Sequence, residues 1–319
     1  MTQDGNRTAV LALGGNAISP QKEVDTITNQ FRHTRESMSA IMHLISEGYD
    51  LVITHGNGPQ VGNALLRTEL TADTAPILPL GICVADVAGG MGYMIQQSLQ
   101  NLLKSENIHR DVVTIITQVL VDKNDPEIEN PSKEIGQHYD EKTAASLADR
   151  YGWTVRETSS GDWRRVVPSP KPISIVEANV IRELVNAGII VIAGGGGGIP
   201  VYTIDNGDME GFDAVVDKDF ASAIIANEIG SRDFFILTDV RTVFLNFGQK
   251  NEAPIHRMTM RDAKKHLKDG QFAPGTMEPK ISAAVNFIKR GGERVLISAI
   301  DSVAEALSGQ TGTVITNQS

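Results

Sequence analysis

The chain has 319 residues, enough for one large α/β domain or two lobes. Hydrophobic residues at 41% and charged residues at 21% describe a globular protein with a sizeable core and exclude global disorder. A net charge of −10 with no basic tract makes nucleic acid and anionic membrane poor partners, so any phosphate site must gather its positive charge locally.

The first residues are polar and run straight into a strand-like stretch. No basic start followed by an apolar run is present, so no signal peptide is expected. The longest apolar runs fall far short of a membrane span. Cys83 stands alone and forms no internal disulfide, and no Cys/His spacing of the metal-binding type occurs. A reducing, cytoplasmic compartment is the expectation.

In chain order, residues 8–13 read as a strand ending in Gly14-Gly15-Asn16. Residues 30–46 read as a helix, with Phe31, Thr34, Met38, Ile41, Met42 and Ile45 at helical spacings. Residues 49–54 form a second strand before His55-Gly56-Asn57-Gly58-Pro59. Residues 84–104 look helical in their second half, and 111–121 make one strand-like run.

The texture then changes. Over 122–172, Pro126, Pro131, Pro168, Pro170 and Pro172 break any long element, leaving one short helix at 141–151. This stretch reads as an inserted subdomain or lid. The alternative is a structureless loop, which is uncommon inside a compact domain. The regular pattern resumes with a helix at 175–187 and a strand at 189–193 that ends in the glycine run 194–198. A helix follows at 219–229, its buried stripe carrying Phe220, Ile224 and Ile225. A strand at 234–237 ends at Thr238-Asp239, and a helix at 277–289 starts around Pro279. Residues 294–299, 303–307 and 313–316 complete the series. The strands are continuous apolar runs rather than alternating ones, which predicts a mostly parallel sheet with helices on both faces.

The strongest signal is repetition. Strands end in glycine turns at Gly14-Gly15, at Gly56 to Gly58 and at Gly194 to Gly198. In open α/β sheets ligands bind beyond the carboxyl ends of the strands, and glycine there lets backbone N–H groups approach a phosphate. A following helix offers its N-terminus to the same anion. Gly195, Gly196 and Gly197 are thus candidate phosphate binders, although a flexible hinge would also use such a run. No P-loop pattern exists, and the glycine spacing at 56–62, with Pro59 inside it, does not fit a dinucleotide fingerprint.

Phosphoryl transfer needs positioning and positive charge. Lys218, between Asp217 and Asp219, and Lys280, after Pro279, each open a predicted helix. A cation there opposes the helix dipole, so a plain surface role does not explain it. Lys133 lies in the proline-rich insert, where a solvated surface cation is the competing reading. Asp217 and Asp219 hold Lys218, help bind a nucleotide-borne magnesium ion, or cap the helix. His55 is read as positional, because phosphorylating an ionised carboxylate needs no general base.

These motifs, taken in order, resemble the carbamate kinases of the amino acid kinase superfamily. The resemblance rests on Ala12-Leu13-Gly14-Gly15-Asn16-Ala17, His55 to Gly62, Asn130-Pro131-Ser132-Lys133 and Val166 to Pro172. It continues through Gly195 to Val201, Val216 to Ser222, Ile236 to Val240 and Phe272 to Lys280. It implies a three-layer αβα sandwich with a protruding subdomain, assembled as a homodimer. It implies one domain over 1–319, with an N-terminal acceptor lobe at 1–205 that contains the lid 122–172, and a C-terminal nucleotide lobe at 206–319. The implied reaction joins ATP and carbamate to give ADP and carbamoyl phosphate, with Mg2+ carried by the nucleotide.

On that resemblance, Gly14, Gly15, Asn16, His55, Gly56, Asn57 and Gly58 surround the acceptor. Lys218 and Lys280 neutralise the transferring group, Asp219 orients them, and Lys133 swings in on the subdomain. Thr238, Asp239, Val240, Ala273, Pro274, Gly275 and Met277 line the nucleotide pocket. No protein-built metal site is expected. The chain departs from the family pattern at Asp86-Val87-Ala88, at Ser160-Gly161-Asp162 and at Glu278. Added negative charge weakens anion binding unless it is paired. Another small carboxylate or carbamate acceptor, or a nucleotide-binding protein without catalysis, are therefore the alternatives.

Overall fold

A computed structural model describes residues 7–15, 18, 26–158 and 160–317. The chain opens with β1 (Arg7–Leu13), α1 (Ile27–Ser46), β2 (Tyr49–His55), α2 (Gly58–Leu70) and α3 (Leu80–Ser105). Next come β3 (Val112–Thr114), β4 (Gln118–Val121), β5 (Lys133–Tyr139), α4 (Glu141–Tyr151), β6 (Thr154–Glu157) and β7 (Trp163–Val167). They are followed by β8 (Pro172–Ile175), α5 (Ala178–Asn186), β9 (Ile190–Ile192), β10 (Ile199–Thr203) and β11 (Met209–Gly211). The remainder is α6 (Lys218–Glu228), β12 (Asp233–Thr238), β13 (Val243–Leu245), β14 (Ala253–Ile255), β15 (Arg257–Thr259), α7 (Met260–Lys268), α8 (Met277–Lys289), β16 (Arg294–Ala299), α9 (Val303–Leu307) and β17 (Thr313–Thr316).

Eight strands form the main sheet in the order β15-β17-β16-β12-β1-β2-β9-β3. All neighbours are parallel except β16 and β17. The pleat divides β1 between two cores. Val10 and Ala12 pack with Ile181, Ile224, Ala283 and Phe287 from α5, α6 and α8. Ala9, Leu11 and Leu13 pack with Met38, Ile41, Ile95 and Leu99 from α1 and α3. Both faces of the sheet are therefore covered, which explains the absence of alternation in its strands and gives the αβα sandwich. Among the described residues, no helix is long and apolar enough to cross a membrane.

Several boundaries differ from the sequence reading. The helix expected from 84 begins at Leu80 and runs through Gly81, Gly89, Gly90 and Gly92. Glycine weakens a helix locally, but a methyl at Gly92 would overlap the Thr114 side chain, so the close approach of α3 to β3 requires it. The single run at 111–121 is two strands in different sheets. Between them, the Thr117 hydroxyl accepts a 2.9 Å hydrogen bond from the Gly194 N–H and braces the glycine run. The helix predicted at 175–187 starts later, at Ala178, because Ile175 is the last residue of β8.

The 122–172 stretch is not a structureless loop. It holds a three-stranded antiparallel sheet, β5-β7-β6, with α4 packed on it. Asp140 caps α4 by accepting from the Thr143 N–H at 2.9 Å, and Gly152 ends it in a left-handed conformation. Helix α2 escaped the sequence reading because its first residues belong to the glycine turn. Pro59 at the helix start fits its missing N–H.

Candidate active site

Sheet order decides what the three glycine turns do together. Strands β12, β1, β2 and β9 are neighbours and run the same way, so their carboxyl ends lie side by side. The turns touch. The Gly14 N–H donates to the Leu237 carbonyl at 2.8 Å, and the Gly56 N–H donates to the Leu13 carbonyl at 3.3 Å. A methyl at Gly56 would sit 3.5 Å from the Gly15 nitrogen and 3.7 Å from the Lys218 side chain. A methyl at Gly196 would overlap the Asn57 amide, and one at Gly197 would overlap the Val216 carbonyl. Gly194, Gly196 and Gly197 have φ of +59°, +67° and +93°, a left-handed region that favours glycine. Asn16 lies outside the described residues.

Helix α6 starts at this edge. The Asp217 side chain caps it by accepting from the Asp219 N–H at 2.9 Å. Lys218 takes the first helical position, and the acidic residues on either side offset a cation placed against the dipole. The Ser222 hydroxyl donates to the Lys218 carbonyl at 2.6 Å and lies 2.6 Å from the Thr54 hydroxyl, tying α6 to the end of β2.

Two lysines share one carboxylate. The Lys218 ammonium stands 3.0 Å from Asp219 Oδ1, and the Lys280 ammonium, from α8, stands 2.9 Å from Oδ2. Burial alone would raise the Asp219 carboxyl, but the two ammoniums outweigh it and hold it far below the usual carboxylate range. Burial pulls Lys218 below the ordinary lysine value, Asp219 opposes the fall, and Lys280 adds to it. Burial also acts against the Lys280 ammonium, yet Asp219 prevails and raises it. The Lys133 ammonium, at the start of β5, contacts Asp217 Oδ2 at 2.6 Å. Three lysines distant in sequence are thus gathered by two neighbouring carboxylates.

Those carboxylates are taken up by the protein itself. Asp219 uses both oxygens on lysines, and Asp217 uses one on Lys133 and one on the helix N-terminus. Among the described residues no group of three His, Cys, Asp or Glu side chains is placed to hold a metal ion.

His55 is fully buried. Its Nδ1–H donates to the Gly56 carbonyl at 3.1 Å, while Nε2 faces Gly195 and has no hydrogen-bond partner among the described residues. Burial lowers its pKa to about 4, the nearby Lys218 adds to the fall, and the Gly56 contact opposes it. The imidazole is neutral at pH 7 and holds the Gly56 carbonyl.

The remaining candidates lie around this edge. Thr238, at the end of β12, follows Leu237, and its hydroxyl donates to Asp239 at 3.0 Å. Asp239 is exposed and acts electrostatically on Lys280, and Val240 is half-buried beside it. Ala273, Pro274 and Gly275 form the exposed turn before α8, and Met277 packs against the core. Sequence reading missed the Thr54–Ser222 pair and the Thr117 brace, which join residues 168 and 77 positions apart. It also left unsettled what the acidic departures do. Asp162 hydrogen-bonds Thr158 and pairs with His138 at 2.6 Å within the small sheet, contacts that hold its carboxyl below the usual range. Glu278 is exposed on the first turn of α8, where its charge suits the helix end, and Asp86 is exposed on α3.

The profile of the amino acid kinase family matches residues 7–298. A carbamate kinase of Pyrococcus horikoshii is 45% identical over 309 residues, covering 96% of this chain and 98% of that protein. The chain belongs to the amino acid kinase family, within its carbamate kinases. A carbamate kinase of Giardia lamblia bound to citric acid superposes with a TM-score of 0.93 at 36% identity, covering 98% of each chain. The same Giardia enzyme bound to AMP-PNP gives 0.88 at 37% identity and covers 98% of each chain.

Buried, neutral His55 makes folding pH-dependent. Between pH 6.5 and about 4 the unfolded chain binds a proton that the folded chain does not. Stability therefore falls as pH drops through that window and then levels off, by on the order of 3 kcal/mol in all. Denaturant unfolding from pH 7 to pH 4 should show this loss in the wild type. His55→Gln should lack it, leaving a slope shallower by about one proton.

Proposed function

We propose that the chain catalyses reversible phosphoryl transfer between ATP and carbamate, giving ADP and carbamoyl phosphate. The observation that carries this reading is the Lys218–Asp219–Lys280 unit set against glycine turns on adjacent parallel strands. A transferring phosphoryl spreads negative charge over its outer oxygens, and catalysis consists largely of positioning and neutralising it. Backbone N–H groups of Gly15 and Gly58 face the acceptor and the transferring group, while Gly14 and Gly56 donate theirs to the Leu237 and Leu13 carbonyls and shape the turns, with Gly195 to Gly197 behind them. Lys218 and Lys280 meet the charge from the α6 and α8 side, and Lys133 meets it from the small sheet. Asp219 keeps two like charges close without repelling them apart.

Carbamate is already ionised, so no base is needed, which agrees with a neutral His55. The other product, ADP, sits toward Thr238, Asp239, Val240 and the 273–277 turn. Magnesium enters with the nucleotide as part of the substrate and supplies further neutralisation of its phosphates. The small sheet, β5-β7-β6 with α4, covers the acceptor side as a lid. Asp162 pairs with His138 on the exposed side of the small sheet, so its charge has a partner there.

A coupled assay should detect ATP formed from ADP, carbamoyl phosphate and magnesium. Lys218→Ala and Lys280→Ala should each lower kcat on the order of 100-fold or more with the fold retained. Absence of ATP formation in folded wild-type protein, or full rates in both variants, would reject the reading.

We further propose that the chain works as a homodimer. The outer face of α3 exposes Ile82 and Tyr93, and Ile116 adjoins it beside Gly89. An apolar strip of this kind fits a second copy of itself. Light scattering should give the mass of two chains, and Tyr93→Glu should shift it to one. A wild-type mass of one chain would contradict this.

A further inference from the structure

Lys133 stands on a strand whose placement is unusually well determined. Three residues further along β5, Gly136 crosses Gly62 of α2 backbone to backbone. A methyl on Gly62 would overlap the Gly136 backbone and lie 2.9 Å from the Ile135 carbonyl carbon. Ile135 itself is fully buried among Val61, Leu65, Leu80, Cys83, Val84, Val167 and Val215. Two turns further along α2, Glu69 accepts from Arg165 at 2.8 Å and from the Trp153 indole N–H at 3.0 and 3.1 Å. The Arg165 guanidinium lies 4.6 Å from the centre of the Trp153 ring, and Arg165 pairs in register with Ile135.

Gly58, Gly62, Leu65 and Glu69 fall on one stripe of α2. Gly58 is also the last residue of the second glycine turn, and a methyl there would sit 3.5 Å from the Glu134 carbonyl oxygen. One helix therefore carries the acceptor turn at its N-terminus and the seat of Lys133 along its flank.

We propose that Gly62 and Glu69 are positioning residues that set the reach of Lys133. The first strand of the small sheet is seated on α2, and that seat fixes where Lys133 stands relative to the acceptor turn. The inference rests on the reading of Lys133 as a residue that meets the transferring phosphoryl.

The geometry sets the scale. An added methyl at Gly62 needs the normal 3.5–4 Å from the facing backbone, so β5 must retreat by about 1.5 Å or more. A strand transmits that shift over three residues, roughly 10 Å, to the root of Lys133. The 2.6 Å contact with Asp217 does not survive it. Misplacement on this scale costs on the order of 10- to 100-fold in rate.

The test is a pair of double-mutant cycles, read as kcat for ATP formation from ADP and carbamoyl phosphate, with thermal unfolding recorded for every variant. Gly62→Ala should lower kcat about 10- to 100-fold and leave the KM for ADP within about twofold. In a Lys133→Ala background the same change should alter kcat by less than about twofold, because the group it misplaces is already gone. Glu69→Gln should behave in the same way with a smaller loss, and it decides the matter if Gly62→Ala does not fold. Equal fold-losses in both backgrounds, or full kcat in folded Gly62→Ala, would overturn the proposal while leaving the role of Lys133 intact. Full kcat in Lys133→Ala alone would overturn that role, and the proposal with it.

Discussion

One buried carboxylate organises this protein. Asp219 accepts from Lys218 and Lys280 at 3.0 and 2.9 Å, and all three side chains are largely withdrawn from solvent. Two ammoniums that close repel each other, and each loses hydration on burial. The carboxylate offsets both effects and stays ionised because both cations favour its charged form. The unit carries a net positive charge in a chain whose overall charge is −10. An anion arriving there meets a local field opposite in sign to that of the whole molecule. A buried pair of this sort is weak evidence for stability, and its sense is the preorganised charge it holds.

The sheet supplies the other half of the arrangement. Parallel strands direct their carboxyl ends to one edge, and β12, β1, β2 and β9 are consecutive there. Glycine at the strand ends lets the backbones approach until Gly14 bonds Leu237 and Gly56 bonds Leu13. Helix α6 opens at the same edge, so Asp217 and Lys218 meet turns that are far away in sequence. Neutral His55 beneath the second turn adds no competing charge and fixes the Gly56 carbonyl.

The parts legible in the sequence were those with local signatures. Continuous apolar strands announced a parallel, doubly covered sheet, and glycine turns announced strand ends. Lysines at helix starts stood out because they oppose the dipole. What escaped depended on tertiary contact. Helix α3 passes through four glycines that lower its intrinsic propensity, and one of them is required by the approach to Thr114. The proline-rich 122–172 stretch concealed three strands, because short strands in a small sheet leave weak periodicity. The stripe of α2 that seats β5 was hidden for the same reason: Gly62 and Glu69 acquire meaning only opposite Gly136, Arg165 and Trp153. The acidic departures looked like threats to anion binding, and the partners that absorb Asp162 lie 4 and 24 residues away.

The most direct measurement of the central claim is Asp219→Asn, which keeps the shape of the side chain and removes its charge. Without that charge the two ammoniums lose their common partner, and removing one member of a buried ionic set costs on the order of 3–5 kcal/mol. Denaturation and steady-state kinetics on the same preparation should show a folded but less stable protein, with kcat lowered on the order of 100-fold or more. A folded Asp219→Asn variant with wild-type stability and wild-type kcat would contradict the account.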